Sequence, residues 1–560
     1  MTKKTIEQVL LERSLVTEEQ LKKVKEDSKK KGVSISKLLL RSAIVNEDDY
    51  ALALSEILEV PYVDLNNYLV DAGIIKLIPE SVARKHKAVP IFKIGTTLTV
   101  AMVDPKDIIA IDDLASRAKC EIEPVLSSQT SILNTIDQYY GVTGSVDDVL
   151  KDIDKDIKKK GPQAELDSSK LAEMAEDAPV IKLVNLIIMQ AVKDRASDIH
   201  IEPEESVLKV RFRVDGVLHE MFSPPKHLES ALLSRIKILA NIDISEKRKP
   251  QDGRFNIKVE NRNVDLRIST FPTIYGENIV IRILDKGTVL VDLDKLGFSK
   301  DMQKQFKTLI KRPHGILLVT GPTGSGKTTT LYSALSAIDS EEKNIITVED
   351  PVEYHLGRIR QSQVNPKAGL TFASGLRSIL RQDPDIIMVG EVRDKETAEI
   401  AVQAALTGHL VFSTLHTNDA TGALARLMDM GMEPFLISNS VIGILAQRLV
   451  RVICEKCKEP YKPGEEILKG LRIIDKVKEL FKGKGCKSCK NTGYKGRIGI
   501  FEFLVVSEDI RKLIVGKASN DLIKKKAIEM GMKTLREDGL DKVLKGITTA
   551  DEVIKATQEE

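Results

Sequence analysis

The segment that most constrains the fold of this chain is Gly-Pro-Thr-Gly-Ser-Gly-Lys-Thr at 321–328. It follows the apolar run 316–319 and precedes a helix-like pattern at 331–335. A strand, a glycine-rich turn and a helix are the context in which G-x-x-x-x-G-K-[ST] forms a phosphate-binding P-loop. Backbone N–H groups of such a loop converge on phosphate oxygens, and the dipole of the following helix adds to the attraction. The segment therefore predicts binding of a nucleoside triphosphate.

Two side chains of the P-loop have predicted roles. Lys327 is expected to reach the β- and γ-phosphates, and the Thr328 hydroxyl is placed to bind Mg²⁺. A glycine-rich turn that binds nothing is the alternative, and the complete motif in its strand–helix context disfavours it. The predicted nucleotide site comprises Gly321, Pro322, Thr323, Gly324, Ser325, Gly326, Lys327, Thr328 and Thr329.

The region around the P-loop alternates apolar strands with helical patterns. This alternation indicates an α/β domain whose mostly parallel sheet is covered on both faces. Catalytic groups of such sheets gather at the carboxyl ends of the strands, which are predicted at 315–320, 344–349, 385–390 and 410–415. Glu353 follows the second of these strands, Glu391 follows the third, and His409 and His416 stand on either side of the fourth. Carboxylates at such ends can position water or hold the metal shell, and histidines can sense the γ-phosphate.

One strand end departs from the usual pattern of P-loop proteins. The strand that normally ends in an aspartate for Mg²⁺ has Gly390 at that position, and Glu391 follows it. We therefore expect the metal to be held by Thr328, the phosphates and water, with Glu391 holding the water.

The rest of the chain divides by residue pattern. A capping box at Thr17 and Gln20 opens a helix near the start, and two similar segments lie at 9–16 and 38–45. A later charged stretch without aromatic residues has too little apolar surface to fold by itself. The predicted regions are helical repeats at 1–75, a small α/β domain at 76–140, a charged linker at 141–178, an α+β domain at 179–290, the P-loop domain at 291–450, a cysteine subdomain at 451–498 and a helical region at 499–560.

Polar and apolar residues alternate along the strands predicted within 179–290. Arg213, Arg254, Arg267 and Arg282 are expected to line one polar face of these strands. A solvated face with surface ion pairs is the simpler interpretation. The functional interpretation is that arginines complete a nucleotide site across a subunit boundary.

Four of the five cysteines form two CxxC pairs. Cys454, Cys457, Cys486 and Cys489 together suit a tetrahedral Zn²⁺ ion. Because all four predicted ligands are protein thiolates, the site is expected to be structural and not catalytic. Unligated thiols or a redox pair are the alternatives.

Taken together, these motifs resemble those of the type II/type IV secretion ATPases, and are most similar to those of the type IV pilus assembly ATPases. The resemblance rests on the Walker A motif at 321–329, an Asp box at 347–354, the atypical Walker B strand at 383–394 and a His box at 407–418. The two cysteine pairs and two of the arginines also match. The resemblance implies a RecA-like P-loop domain preceded by a PAS-like α+β domain called N2, assembled into a homohexameric ring.

The resemblance also implies roles for particular residues. The glutamate matching Glu353 activates water, and the one matching Glu391 supports the metal. The histidines matching His409 and His416 approach the nucleotide from the P-loop domain. The arginines matching Arg267 and Arg282 approach it from N2. ATP, Mg²⁺ and Zn²⁺ are therefore the expected ligands.

The implied function is an ATP-driven motor that acts on an inner-membrane platform protein, with other components of the machinery, to polymerise pilins. The nearest alternative is the type II secretion ATPase, and a further one is a hexameric ATPase that handles DNA. A net charge of +3 and 4% aromatic residues argue against a nucleic-acid channel. A scaffold that binds ATP without turnover is opposed by the retained carboxylates.

The sequence contains no apolar run of membrane-spanning length and no signal peptide at its start. We therefore expect a cytoplasmic protein that reaches the inner membrane peripherally, through its partners.

Residues 1–75 look like the paired repeats that bind cyclic di-GMP in some family members. Each of those repeats begins with Arg-Leu-Gly and carries a glycine further on. In this chain the two starts read Thr5-Ile6-Glu7 and Ser34-Ile35-Ser36, and Ser14 and Ala43 occupy the two later glycine positions. Tight binding of cyclic di-GMP is not expected.

Overall fold

The structure is a computed structural model that describes residues 5–42, 44–65, 68–70, 72–140, 178–259, 262–285, 292–339, 341–465, 468 and 479–558. The predicted linker at 141–178 lies outside these residues except for its last position. Contacts divide the chain into two compact units, Met1–Thr288 and Val289–Glu560. Among the described residues, no helix combines the length and the apolar character needed to cross a membrane.

The first unit begins with four helices around a small apolar core. The predicted capping box is confirmed, because Gln20 N–H donates to Thr17 Oγ1 at 3.2 Å and Thr17 N–H donates to Gln20 Oε1 at 2.9 Å. Leu10 and Leu39 are fully buried in the shared core. The helices are α1 (Ile6–Glu12), α2 (Glu18–Lys31), α3 (Ile35–Arg41) and α4 (Glu47–Leu58).

A small α/β fold follows the four helices. Its three-stranded sheet pairs the first two strands antiparallel and the last two parallel, with one helix crossing between the parallel strands. A two-residue strand that precedes it joins the edge of the next sheet. The elements are β1 (Tyr68–Leu69), α5 (Ala72–Ile75), α6 (Glu80–His86), β2 (Ala88–Ile94), β3 (Thr97–Met102), α7 (Ile108–Ala118), β4 (Glu121–Leu126) and α8 (Gln129–Tyr140).

The second sheet of this unit has seven strands, and every pair in it is antiparallel except β1 with its neighbour. Two helices pack on one face of the sheet, and the alternation of buried and exposed residues leaves the other face polar. The elements are α9 (Ala178–Lys193), β5 (Asp198–Pro203), β6 (Leu208–Val214), β7 (Val217–Phe222), α10 (Glu229–Leu239), β8 (Gln251–Val259), β9 (Arg262–Thr273) and β10 (Gly276–Asp285), and the strand order is β1-β8-β9-β10-β5-β6-β7.

The second unit contains the predicted mostly parallel sheet, and all four predicted strands are present. Leu318 packs in a core on one face and Leu317 in a core on the other, so both faces are covered. The elements are α11 (Lys300–Leu309), β11 (Gly315–Thr320), α12 (Lys327–Ile338), β12 (Ile345–Glu349), β13 (Arg360–Gln363), α13 (Phe372–Ile379), β14 (Ile386–Val389), α14 (Lys395–Leu406), β15 (Leu410–Leu415), α15 (Ala420–Asp429), α16 (Pro434–Ser440) and β16 (Val441–Ile453).

A long antiparallel hairpin closes this sheet, and the cysteine segment lies between its two strands. The last helix is capped by Thr549, since Glu552 N–H donates to Thr549 Oγ1 at 3.4 Å. The remaining elements are β17 (Lys458–Tyr461), β18 (Leu480–Gly483), β19 (Tyr494–Val505), α17 (Glu508–Val515), α18 (Asn520–Glu529), α19 (Leu535–Leu544) and α20 (Ala550–Ala556), and the sheet order is β13-β12-β14-β15-β11-β16-β19.

Candidate functional site

The P-loop connects the end of β11 to the start of α12, as the motif predicts. Gly321, Gly324 and Gly326 have φ values of +148°, +80° and +88°, which L side chains rarely adopt. A Cβ on Gly321 would lie 2.5 Å from the carbonyl oxygen of Gln447, so the backbone passes close to β16 there. These glycines shape a loop ahead of a helix N-terminus, which is a favourable place for phosphate.

Lys327 begins α12, and its ammonium lies over the loop. Nζ donates to the carbonyl oxygens of Gly321 at 2.8 Å and Pro322 at 3.0 Å. Burial lowers the pKa of Lys327, while the Glu391 carboxylate opposes that shift and Arg448 adds to it. A partly desolvated cation at this position is stabilised by a phosphate anion.

The environment of the Ser325 hydroxyl indicates whether the loop suits a phosphate group. Ser325 is 4% exposed, and its Oγ has no hydrogen-bond partner among the described residues. Buried hydroxyls are normally bonded, so a buried P-loop hydroxyl without a protein partner fits an anion that accepts its hydrogen. The residues present therefore suit a nucleotide phosphate.

A cleft of about 150 Å³ opens beside the P-loop. It is bounded by residues that follow three different strands, because the carboxyl ends of parallel strands meet at one edge of the sheet. The structure thus brings together most of the residues predicted at the strand ends. The polar residues that line the cleft are Lys327, Thr328, Glu349, Asp350, Glu353, Glu391, Thr414 and His416.

Glu391 follows β14, and its side chain is 14% exposed. Its carboxylate pairs with the guanidinium of Arg393 and lies 3.6 Å from Nε2 of His416. The preceding Gly390 carbonyl accepts a hydrogen bond from Thr414 Oγ1 at 2.7 Å, which fixes the strand end against β15. The carboxylate is therefore held in place at the cleft.

His416 follows β15 and is anchored through its neighbour. The N–H of Thr417 donates to Thr320 Oγ1 at 3.0 Å, directly before the P-loop. Burial and the Lys327 ammonium lower the pKa of His416, against the opposite effect of Glu391. The imidazole is therefore neutral near pH 7, and it can donate a hydrogen bond without adding a charge.

His409 lies elsewhere. It precedes β15, and its carbonyl oxygen accepts from the N–H of Gly315, where β11 begins. Its Nδ1 lies 2.9 Å from the Ala404 carbonyl oxygen. The P-loop follows the opposite end of β11, so the structure does not bring His409 to the cleft of its own chain. A role for His409 at a nucleotide stays a prediction.

Gln447 is a residue of the site that sequence reasoning missed. It is 2% exposed in β16, where its Nε2 donates to Ser325 O at 2.6 Å and its Oε1 accepts from Thr330 Oγ1 at 2.8 Å. The side chain therefore ties the P-loop to the first turn of α12. The available signal was an amide directly after the apolar run 441–446, because a buried amide must find partners.

The arginines predicted on one face occupy one cross-strand row in the first unit. Arg254 pairs in register with Arg267, which pairs with Arg282. The row continues with Asp198, which lies 3.3 Å from Arg282 Nε and 3.5 Å from Arg213 Nε. Like charges directly opposite each other destabilise a sheet, and the ion pairs of Arg267 with Asp265 and of Arg282 with Asp198 offset part of that repulsion. Their action on a nucleotide stays a prediction.

The four predicted cysteines form one cluster, with all Sγ atoms within 4.8 Å of one another. The Sγ–Sγ distances are 3.9 Å for Cys454 and Cys486, 3.8 Å for Cys457 and Cys489, and 3.7 Å for Cys486 and Cys489. Tetrahedral Zn²⁺ with Zn–S bonds of about 2.3 Å requires Sγ–Sγ distances of about 3.8 Å. The donor set therefore fits zinc.

A mostly parallel sheet with a P-loop and with carboxylates at neighbouring strand ends defines a P-loop nucleoside triphosphatase. The family model described as "Type II/IV secretion system protein" matches residues 173–555, and that of the MshEN domain matches residues 58–146. The chain belongs to the type II/IV secretion system protein family, and it is an ATP hydrolase. The predicted resemblance and fold class are confirmed.

The relatives agree with this assignment. The chain is 46% identical over 556 residues to the type IV pilus assembly ATPase PilB of Myxococcus xanthus, covering 98% of each chain. It is 53% identical over 393 residues to the type II secretion system ATPase E of Vibrio cholerae, covering 70% of this chain and 77% of the relative. The crystal structure of the Yersinia pseudotuberculosis ATPase DotB shares the fold, with a TM-score of 0.53 at 22% identity over 68% of this chain and 94% of DotB.

Proposed function

We propose that this chain is the motor ATPase of type IV pilus assembly, which acts through an inner-membrane platform protein to polymerise pilins. The observation that carries the proposal is the 46% identity to the Myxococcus xanthus pilus assembly ATPase over 98% of both chains. The motor is a homohexamer that works in the cytoplasm, at the inner membrane, with the other components of its machinery. It does not use cyclic di-GMP as a tight ligand, because the repeats at 1–75 lack the arginines and glycines named above.

Hydrolysis is assigned to the cleft. Glu353 orients the attacking water and accepts its proton, because it lines the same cleft as Lys327. Lys327 and the backbone N–H groups of the P-loop neutralise the charge that develops on the phosphates. His416 lines the same cleft, and its imidazole donates a hydrogen bond to the γ-phosphate.

Magnesium is assigned to the Thr328 hydroxyl and to water held by Glu391. Both residues line the cleft and offer oxygen donors, which Mg²⁺ prefers. The bound ion supplies neutralisation of the β- and γ-phosphate charge. Zn²⁺ is assigned to the cysteine cluster with a structural role, since four protein thiolates leave no open position.

The arginine row is assigned to a nucleotide held by a neighbouring subunit. A row of three adjacent arginines retains like-charge repulsion that ion pairs offset only in part, which favours a function for it. Arg267 and Arg282 are the members that the family resemblance assigns to the nucleotide. His409, which does not reach the cleft of its own chain, is assigned to the approach from the P-loop domain in the assembled ring.

The test of this proposal compares two cleft variants of the full chain. Glu353→Gln keeps size and polarity but cannot accept a proton, so ATP affinity is retained while turnover falls by about a hundredfold or more. Lys327→Ala removes a phosphate counter-charge, so affinity itself falls. ATPase rate and nucleotide affinity are measured on both. Hydrolysis by Glu353→Gln at the parent rate would make Glu391 the candidate base.

The pilus assignment is tested in cells that carry Glu353→Gln in place of the parent chain. The proposal expects the loss of surface pili while protein export continues. Loss of export with normal pili would assign the chain to type II secretion, the second candidate, which the 53% identity to the Vibrio cholerae ATPase supports.

A further inference from the structure

A buried polar network borders the cleft, which two of its members, Glu349 and Glu353, also line. At its centre is Tyr332, which is 0% exposed and belongs to α12, the helix that begins at the P-loop. Its hydroxyl donates to Glu349 Oε2 and accepts from the backbone N–H of Glu353 at 3.4 Å. Gln361 Nε2 lies 3.2 Å from the same hydroxyl. One phenol therefore connects the P-loop helix to the segment that carries the proposed base.

Glu349 ends β12 and is 3% exposed. Its Oε1 accepts from Thr347 Oγ1 at 2.5 Å and from Gln361 Nε2 at 3.1 Å. With the Tyr332 hydroxyl, these donors satisfy both carboxylate oxygens. A carboxylate buried at this depth is costly unless it is fully hydrogen-bonded, so the network has little freedom to rearrange.

The segment after Glu353 is fixed by the same groups. Gln361 Nε2 donates to the Tyr354 carbonyl at 3.2 Å, and Gln361 Oε1 accepts from the Leu356 N–H at 2.8 Å. The Tyr354 ring packs edge-on against that of Tyr332, with centroids 4.6 Å apart. The backbone on both sides of the base is thus attached to α12 and β13.

We infer that Tyr332 and Glu349 are positioning residues that hold Glu353 in register with the phosphate cradle. The inference rests on the proposed role of Glu353 as the base. Because Tyr332 lies in the helix that Lys327 begins, its hydroxyl links the segment of the base directly to the phosphate cradle. A base displaced by even a fraction of an ångström loses its alignment with water and phosphate, so the network acts on turnover and leaves nucleotide binding unchanged.

The first test is Tyr332→Phe in the full-length chain, assayed for kcat and for affinity towards a fluorescent ATP analogue. The phenyl ring keeps the packing and removes the hydroxyl. We expect kcat to fall by about tenfold while affinity changes by less than about twofold. Tyr494→Phe is the matched control, because it removes a half-buried hydroxyl bonded to Thr549 Oγ1 at 2.9 Å in the same unit, away from the cleft. The control keeps the parent kcat.

The second test separates positioning from simple destabilisation. If Tyr332 acts through Glu353, Tyr332→Phe has no further effect on the residual kcat of Glu353→Gln, whereas a general loosening of the fold lowers both rates equally. Glu349→Gln is expected to behave like Tyr332→Phe in the same cycle, and it provides the test if Tyr332→Phe does not fold. An additive loss, an unchanged kcat or a loss of affinity overturns the inference.

The failure of the proposed function is read separately. Glu353→Gln alone reports on the base, and a parent-like rate there overturns both assignments. If Glu353→Gln has a low kcat and Tyr332→Phe lowers that residual kcat by its full factor, the assignment of Glu353 as the base stands. Only the positioning role of Tyr332 is then overturned.

Discussion

Strands β11 and β9 lie in sheets of equal strand number but bury their side chains differently. In β11, the consecutive residues Leu317 and Leu318 are both buried, one in each core of the P-loop unit. In β9, Ile268 is buried while the next residue, Ser269, is exposed. A parallel sheet covered on both faces leaves only its strand ends for chemistry, whereas an antiparallel sheet with one open face can display a row of side chains.

The two candidate sets of functional residues follow this difference. Carboxylates and a histidine collect at the strand ends of the second unit, where they line the cleft. Arginines occupy successive strands on the open face of the first unit, one opposite the next. The first arrangement encloses a small volume, and the second displays positive charge on an open face.

The largest effect that can test this comparison concerns the cysteine cluster. β16 carries Gln447 against the P-loop and leads directly to Cys454, so the cleft could depend on the metal. We expect one Zn²⁺ per chain, and Cys457→Ser should remove it and unfold the cysteine subdomain, since structural zinc contributes about 10 kcal/mol in small domains. Nucleotide affinity should change less than about twofold, because the strand ends are held by the sheet.

Metal analysis and nucleotide titration of the same preparation provide the measurement. Protein purified without chelator that contains no zinc would refute the metal assignment. A variant that loses nucleotide affinity together with zinc would refute the independence of the cleft.

An intermediate effect tests the burial pattern itself. Leu317→Ala and Leu318→Ala should each lower the free energy of unfolding by about 2–5 kcal/mol, because both leave cavities in a covered sheet. Ile268→Ala should cost a similar amount, whereas Ser269→Ala should change stability by less than about 0.5 kcal/mol. Chemical denaturation of the four variants gives the comparison. Equal losses at 268 and 269 would mean that the face with the arginines is covered in the folded chain.

The sequence was sufficient to predict the P-loop, the strand ends and the grouping of four cysteines in one cluster. The first two features depend on residues close together in the chain, and the third depends on two CxxC pairs that suit one four-donor site. The parallel sheet made Glu353, Glu391 and His416 meet because each follows a strand of the same direction. His409 precedes β15 instead of following it, so it lies at the amino ends of the parallel strands, away from the cleft.

The contacts that hold the site could not be predicted in this way. Gln447 reaches the P-loop from a strand more than a hundred residues further along the chain. Tyr332 has an ordinary core appearance in its helix, and only the fold brings its hydroxyl to Glu349 and Glu353. The register that places Arg254, Arg267 and Arg282 side by side depends on two hairpins, which residue alternation alone does not specify.

The smallest expected effect is on the open face. Arg267→Ala should lower ATP turnover by about tenfold, and by less than Glu353→Gln does, while stability changes by less than about 0.5 kcal/mol or rises slightly as like-charge repulsion is relieved. Turnover measured against protein concentration checks this, because an arginine that acts on a neighbour matters only in the assembled ring. Arg358→Ala, at an exposed ion pair with Glu341, is the control and should leave turnover unchanged.

The most direct test of the central claim, that the open face of one subunit serves the cleft of the next, is ATP hydrolysis by mixed rings. Chains carrying Arg267→Ala, which alone have impaired turnover, are combined with chains carrying Glu353→Gln, which alone are nearly inactive. The account predicts that turnover of the mixture exceeds the sum of the two separate preparations, because an intact Arg267 then faces an intact Glu353 at some subunit boundaries. Turnover equal to the sum at every mixing ratio would contradict it.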